Sequence, residues 1–233
     1  MQTLMDRHVV VTGGTGALGS AVVNAFFEAG ATCHVPAIEA APPTGRFFNA
    51  SKVVVVPGID LSDEASVDGF YAKLPALHAV VNIAGGFAYA PIADSPAKVL
   101  HQQISMNLVS CVLSCRAAVA NFRKAGQGGQ IVNISARPAL SPRQGANMTA
   151  YTASKAAVAA FTVALAEELK NEKISLVALA PSTIDTPVNR KDMPTAKHDT
   201  WVKPAAIAEL IVAQCSLSET INSGSLIPIY GRA

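Results

Sequence analysis

Charge is scarce in this 233-residue chain: Asp, Glu, Lys and Arg make up 15% of it, against 50% hydrophobic residues. A disordered chain shows the opposite balance, so a compact fold with much buried surface is expected. The formal net charge is +2 and no long run of Lys or Arg occurs. Binding to nucleic acid or to an acidic membrane therefore lacks electrostatic support. Cysteine is also sparse. Cys33, Cys111, Cys115 and Cys215 form no CxxC pair and have no His cluster beside them in sequence. They read as small buried apolar side chains, not as a disulfide framework or a zinc site, and no metal is expected. Apolar runs near the start are short as well. Asp6 and Arg7 precede only "VVV" before the first glycines, which resembles neither a secretory signal nor a membrane span. A cytoplasmic location is expected.

What the chain does contain is alternation. Short β-branched runs stand at His8 to Gly13, Thr32 to Pro36, Lys52 to Gly58, His78 to Gly85, Gly129 to Ala136, Ile174 to Pro181 and Ser225 to Tyr230. Several are almost continuously apolar, the pattern of strands buried on both faces. Helical patterns lie between them: Leu18 to Ala29, Ser62 to Leu74, Ala97 to Lys124, Ala150 to Lys170 and Ala205 to Cys215. This order predicts a single α/β domain over residues 1–233: a Rossmann-type, doubly wound parallel sheet of about seven strands with helices on both faces. Residues 41–51, 141–148 and 182–201 read as loops, and long loops in compact domains are often lids or binding loops. The helical patterns 97–124 and 150–170 carry more apolar residues than one buried face requires.

The first strand runs directly into "TGGTGALG". Gly14, Gly16 and Gly19 satisfy GxGxxG, and Gly13, Gly16 and Gly19 satisfy GxxGxxG. Following a strand and opening a helix, such a turn lets backbone N–H groups approach a pyrophosphate, with the helix dipole aiding. A tight strand–helix turn with no ligand is the bland alternative. After the second strand, Glu39 stands about where an acid would hold a ribose 2′-hydroxyl, while Arg46 is a competing partner for a 2′-phosphate. NAD and NADP both stay open.

Tyr151 and Lys155 share a helix face by their i, i+4 spacing. A neighbouring ammonium would lower the phenol pKa and equip Tyr151 to exchange a proton with a carbonyl or alcohol oxygen. Ser135 ends a strand at the edge where ligands bind, and Asn107 places a carboxamide within a long helical pattern.

In this combination the sequence resembles the short-chain dehydrogenase/reductase family, over essentially its whole length. Asn107, Ser135, Tyr151 and Lys155 match that family's catalytic tetrad in order. By the same resemblance, Gly13, Thr15, Gly16, Leu18 and Gly19 line the cofactor phosphates, and Asp60 and Leu61 the adenine. Asn82, Ala84 and Gly85 of "NIAGG" border the cofactor, and Pro181, Ile184 and Thr186 of "PSTIDTP" contact the nicotinamide. Tyr151 and Lys155 also face it, and Glu39 is the ribose candidate. Ala17 and Ser182 depart from the family's commoner glycines. The resemblance implies a nicotinamide cofactor, NAD or NADP, a small carbonyl or alcohol substrate, and a homodimer or homotetramer. Substrate loops are expected at 86–96, 136–149 and 182–203. "AGGFA", "DTPVNRKDMP" and "SGSLIPI" are similar to the dihydropteridine reductase branch, which makes pterin reduction an alternative. A non-catalytic dinucleotide-binding regulator is an alternative of another class.

Overall fold

Valine-rich segments form the centre of the molecule because β-branched side chains pack well on a pleated surface. The computed structural model describes residues 4–41, 50–217 and 221–232. Seven strands, β1 (His8–Thr12), β2 (Thr32–Pro36), β3 (Val53–Val56), β4 (Ala79–Asn82), β5 (Gly129–Ile134), β6 (Ile174–Pro181) and β7 (Leu226–Ile229), make one sheet in the order β3-β2-β1-β4-β5-β6-β7. Every neighbouring pair is parallel. The helices are α1 (Ala17–Glu28), α2 (Glu64–Tyr71), α3 (Ala97–Gln103), α4 (Ser110–Ala125), α5 (Arg137–Leu140), α6 (Thr149–Glu168), α7 (Pro187–Asp192) and α8 (Pro204–Cys215).

Alternation along β1 divides the core in two. Val9 and Val11 join Phe26 of α1 and Ile207 and Ile211 of α8 on one face. Val10 joins Phe70 of α2, Phe122 of α4 and Val158 of α6 on the other. Each of these fully buried side chains contributes on the order of 1.5–3 kcal/mol. The single α/β domain expected from the strand–helix alternation is what forms. Strand order reverses between β1 and β4. In open α/β sheets that reversal leaves a crevice at the carboxyl ends of the strands, and the turn after β1, the chain leaving β4 and the end of β5 all open there.

Two of the expected segments differ from what forms. The helical pattern 97–124 is not one continuous α-helix, because a π-helical turn at Ile104–Val109 separates α3 from α4. Such a turn is a frequent mark of function, and here it contains the buried Asn107. The stretch 182–201, read as loop, holds α7, which starts on Pro187 and is capped by the Thr186 side chain. It also holds a 3₁₀ turn at His198–Thr200. Of the stretch 41–51, residues 42–49, including Arg46, lie outside the described residues. The segment Ala97–Ala125 is long and apolar enough to cross a membrane by length and composition. Its α4 portion packs instead onto the sheet through Cys111, Cys115, Ala118 and Phe122.

Candidate active site

The phosphate end is built by glycines that permit close contact. Gly13 has φ +64°, and a Cβ there would sit 2.8 Å from Ala84 N. A Cβ on Gly19 would sit 2.0 Å from Gly13 O, so α1 can close on the turn only with glycine at that position. Gly16 is the N-cap of α1, and no side chain caps the first helical turn. A Cβ on Gly16 would meet just Gly13 O, at 3.4 Å, so the approach to those N–H groups is open. This donor set, at a helix N-terminus with its positive dipole end, fits a dinucleotide pyrophosphate. Leu18 is buried beneath the turn. Thr15 Oγ1 lies 3.5 Å from Glu39 Oε1 across the mouth of the crevice. Asp60 Oδ1 accepts hydrogen bonds from Ser62 N and Ser62 Oγ at 2.8 and 2.7 Å, and Leu61 behind it is buried.

Thr12, which the sequence reading missed, fastens β1 to the segment after β4. Its Oγ1 accepts from Ile83 N at 3.0 Å and Ala84 N at 3.2 Å. Asn82 faces the sheet interior, where Nδ2 donates to Asn133 Oδ1 at 2.8 Å. That places Asn82 as a support of the sheet centre and leaves Ala84 and Gly85 at the crevice.

Three of the four proposed catalytic residues, Asn107, Ser135 and Lys155, converge from three elements. Ser135 follows β5, is buried, and donates through Oγ to Lys155 O at 2.9 Å. Lys155, 5% exposed, donates through Nζ to Ile134 O at 2.8 Å. Asn107, 1% exposed, grips Gly86: Oδ1 accepts from Gly86 N at 2.9 Å and Nδ2 donates to Gly86 O at 3.1 Å. Nδ2 also faces Gln103 Oε1 at 3.1 Å and Ser154 Oγ at 3.0 Å. A Cβ on Gly85 would lie 2.3 Å from Asn107 Oδ1 and 3.4 Å from Lys155 Nζ, so both groups press on one glycine. Gln103 and Ser154 were also missed. Their available signal was position, four residues before Asn107 and between Tyr151 and Lys155.

The expected electrostatics of Tyr151 need correction. Its phenol is pushed up to about 12 by burial, not lowered by Lys155. Burial acts on Lys155 too, pulling its ammonium down to about 8, with a weaker opposing influence from Cys111. The i, i+4 spacing gives the two side chains one helix face, but the ammonium is directed to the end of β5.

Beside Tyr151, segments 86–96 and 136–149 meet. Phe87, 60% exposed, sets its ring against Tyr151 at 5.0 Å and 77°. Asn147 Nδ2 donates to Tyr89 Oη at 3.1 Å, and Ala90 N donates to Asn147 O at 2.7 Å. The third segment is pinned at its base, where Ile184 bridges Val202 and Asp185 N donates to Val202 O. Pro181 ends β6 in a buried position, and Thr186 Oγ1 accepts from Asn189 N at 3.2 Å. All four cysteines are buried.

A doubly wound sheet, a glycine turn at the head of α1 and a Ser–Lys–Asn cluster beside Gly85, with Tyr151 one turn before the lysine on α6, define a class. The chain belongs to the short chain dehydrogenase family, whose model matches residues 7–197. It is similar to the probable oxidoreductase EphD of Mycobacterium tuberculosis, 32% identical over 188 residues, which cover 78% of this chain and 31% of that protein. The chain thus spans under a third of that relative. It is 26% identical over 247 residues to the 3-oxoacyl-[acyl-carrier-protein] reductase FabG of Chlamydia trachomatis, with 98% of this chain and 97% of that one covered. It is 26% identical over 219 residues to the D-xylose 1-dehydrogenase of Caulobacter vibrioides, with 91% and 82% covered.

Proposed function

We propose that the chain is an NAD(P)-dependent oxidoreductase acting on a small carbonyl or alcohol substrate, with Tyr151 as the acid/base. A bound nicotinamide supplies or accepts the hydride. The turn from Gly13 to Gly19, with Asp60, Leu61, Ala84, Gly85, Pro181, Ile184 and Thr186, is the proposed seat for that cofactor. Tyr151 holds its proton at neutral pH, because burial raises its pKa, and delivers it to the substrate oxygen in reduction. Ser135 has spent its one hydroxyl proton on Lys155 O, so its oxygen is an acceptor toward a phenol or substrate hydroxyl. Lys155 and Asn107 order the floor of the site. The observation that carries this reading is the convergence of Asn107 Oδ1 and Lys155 Nζ on Gly85, with Ser135 tied to the same helical turn.

Between the two cofactors the reading favours NAD. Glu39 beside Thr15 supports it, since a carboxylate there suits a ribose 2′-hydroxyl and opposes a 2′-phosphate. Residues 86–96, 136–149 and 182–203 are the proposed substrate loops. The names of the Chlamydia and Caulobacter relatives support carbonyl or alcohol chemistry, and no comparison supports the pterin alternative. Exposed Leu100, Met106 and Val163 support assembly into a dimer or tetramer, which light scattering tests. A cytoplasmic location is part of the same proposal.

The test is turnover of NADH and NADPH with a panel of ketones, sugars, alcohols and quinonoid dihydropterin. On whichever substrate is turned over, Tyr151→Phe should lower kcat by roughly 10²–10⁴, the ordinary contribution of a general acid. Undiminished turnover by that variant refutes the assignment of Tyr151.

A further inference from the structure

β3 is the edge strand of the sheet, and the short helix α2 covers its face incompletely, leaving Val54 42% exposed. Between that edge and α2 lies a cavity of about 380 Å³, a size that suits a small molecule. Its walls are apolar: Val54 and Val56 of β3, Ile59 after it, and Phe70 and Leu74 from the α2 side. Gly69 lines it too, and a Cβ added there would meet nothing within 4 Å.

Three polar side chains interrupt this lining: His34, Ser66 and Lys73. His34 stands beside Val54 in the sheet and is 8% exposed. Its Nε2 lies 3.1 Å from His8 Nδ1, and its Nδ1 has no partner among the described residues. A nearly buried polar nitrogen calls for one. Burial, and after it His8, pulls the His34 pKa from 6.5 to about 4, so near neutral pH the ring offers a hydrogen bond and no charge. Ser66 marks one end of the cavity. Its Oγ accepts from Asp60 N at 3.1 Å and its N donates to Asp63 Oδ2 at 2.7 Å, so two carboxyl groups border that end. Lys73 comes two turns later, roughly 10 Å along the axis. Because α2 runs back against the direction of β3, this brings Lys73 to the end where Val54 and His34 stand. The acids of α2 are engaged elsewhere, Glu64 and Asp68 both with Arg116 of α4, and Lys73 has no carboxylate partner among the described residues.

We propose that this cavity is a binding site in its own right, apart from the crevice at the carboxyl ends of the strands, and that it takes a small apolar monocarboxylic acid. The hydrocarbon body lies against Val54, Val56, Phe70 and Leu74, and the carboxylate points to the Lys73 end. The reverse orientation would set it against Asp60 and Asp63. A sugar would find no polar partners along the apolar walls, and a dianion would find one cation. The site needs no hydride transfer and stands whether or not the proposed function does.

The experiment is a titration of the protein, with ¹³C-labelled valine, leucine and isoleucine methyls, by sodium 2-naphthoate, read by NMR. Saturable shifts should concentrate in Val54, Val56, Ile59 and Leu74. Gly69→Leu places a side chain in the cavity and should abolish them; the variant keeps its fold, since the position is open and leucine favours a helix over glycine. Lys73→Met should raise the naphthoate Kd about threefold, the worth of one solvent-exposed ion pair. 2-Naphthamide, of the same shape without the charge, should bind the wild type about threefold more weakly than naphthoate does and bind Lys73→Met and wild type alike. Methyls that stay unshifted up to the solubility limit of naphthoate overturn the proposal. So does undiminished binding by Gly69→Leu, which would put the ligand elsewhere. Equal affinity of the wild type for naphthoate and naphthamide overturns it as well, because the cavity would then hold apolar compounds without reading the acid.

Discussion

Replacing Lys155 by methionine should stabilise the protein at neutral pH and lose that advantage as the pH rises. The ammonium is 5% exposed and its nearest partner is Ile134 O at 2.8 Å. Burial pulls its pKa from 10.5 to about 8. At ~1.4 kcal/mol per unit, that drop is worth about 3 kcal/mol. Below pH 8 the lysine is charged in both states, and the folded state carries the full cost of burying it. Between about 8 and 10.5 the folded protein sheds the proton while the unfolded chain retains it. The unfolded state then binds more protons, so stability rises with pH across that window. Methionine escapes the whole effect but leaves Ile134 O without its lysine, a loss of about 1–2 kcal/mol. The variant should therefore be more stable by about 1–2 kcal/mol at pH 7 and less stable by a similar amount near pH 10.5. Burial also raises Tyr151 and the thiols of Cys33 and Cys215, which weakens both proteins in alkali and cancels in the difference. Urea unfolding followed by the fluorescence of Trp201, the single tryptophan, measures that difference at each pH. A difference that stays constant from pH 7 to 10.5 would mean that Lys155 titrates as an ordinary lysine, and the account of its burial would be wrong.

Gly85→Ala should disable the site in the cofactor-free protein, since its methyl would lie 2.3 Å from Asn107 Oδ1. Overpacking of that kind costs typically 1–3 kcal/mol by thermal or urea unfolding, with most activity lost. Gly69→Ala, in α2 with nothing within 4 Å of the added Cβ, is the control and should gain up to ~1 kcal/mol of helix propensity. Glu39→Gln should raise the ratio of NADPH to NADH efficiency about tenfold in steady-state kinetics, by removing a carboxylate that opposes a 2′-phosphate. An unchanged ratio removes Glu39 from cofactor choice. Asn121→Ala strips the side chain that accepts from Leu77 N and donates to Pro75 O, at 2.9 and 3.0 Å. Stability should fall by about 1–3 kcal/mol in urea, with kcat unaffected because the contact lies ahead of β4, at the opposite end of the strand from the crevice.

The sheet was legible because its strands are short, valine-rich and separated by helical periodicity, and because the glycine turn stands where only such a turn fits. The break in the 97–124 pattern was not. A π turn adds no residue type of its own. It coincides with a tertiary contact, a carboxamide on one element gripping a glycine backbone on another, and local pattern carries no trace of that. Thr12 and Gln103 were illegible for the same reason. Each is an ordinary polar residue at the edge of an element, and its partners appear only once β1 meets the chain after β4, or the π turn brings Asn107 Nδ2 back onto the end of α3.

Tyr151 and Lys155 show where sequence spacing stops being a guide to chemistry. Four residues along a helix put both on one face of α6, and that much holds. A shared face is a statement about Cβ atoms, and pKa depends on where the charged ends finish. Lysine has four methylenes, and here they carry the ammonium past its own helix to the last carbonyl of β5. The phenol is left with desolvation as its sole cause of shift, and its pKa rises. Burial thus keeps the Tyr151 phenol protonated at neutral pH. In the proposed reaction this favours delivery of a proton to a developing alkoxide over removal of one from an alcohol. Turnover in the reductive direction should accordingly persist at lower pH than oxidation, with the two limbs read from separate kcat profiles. Coincident pH limbs for both directions would show that Tyr151 does not set the proton balance.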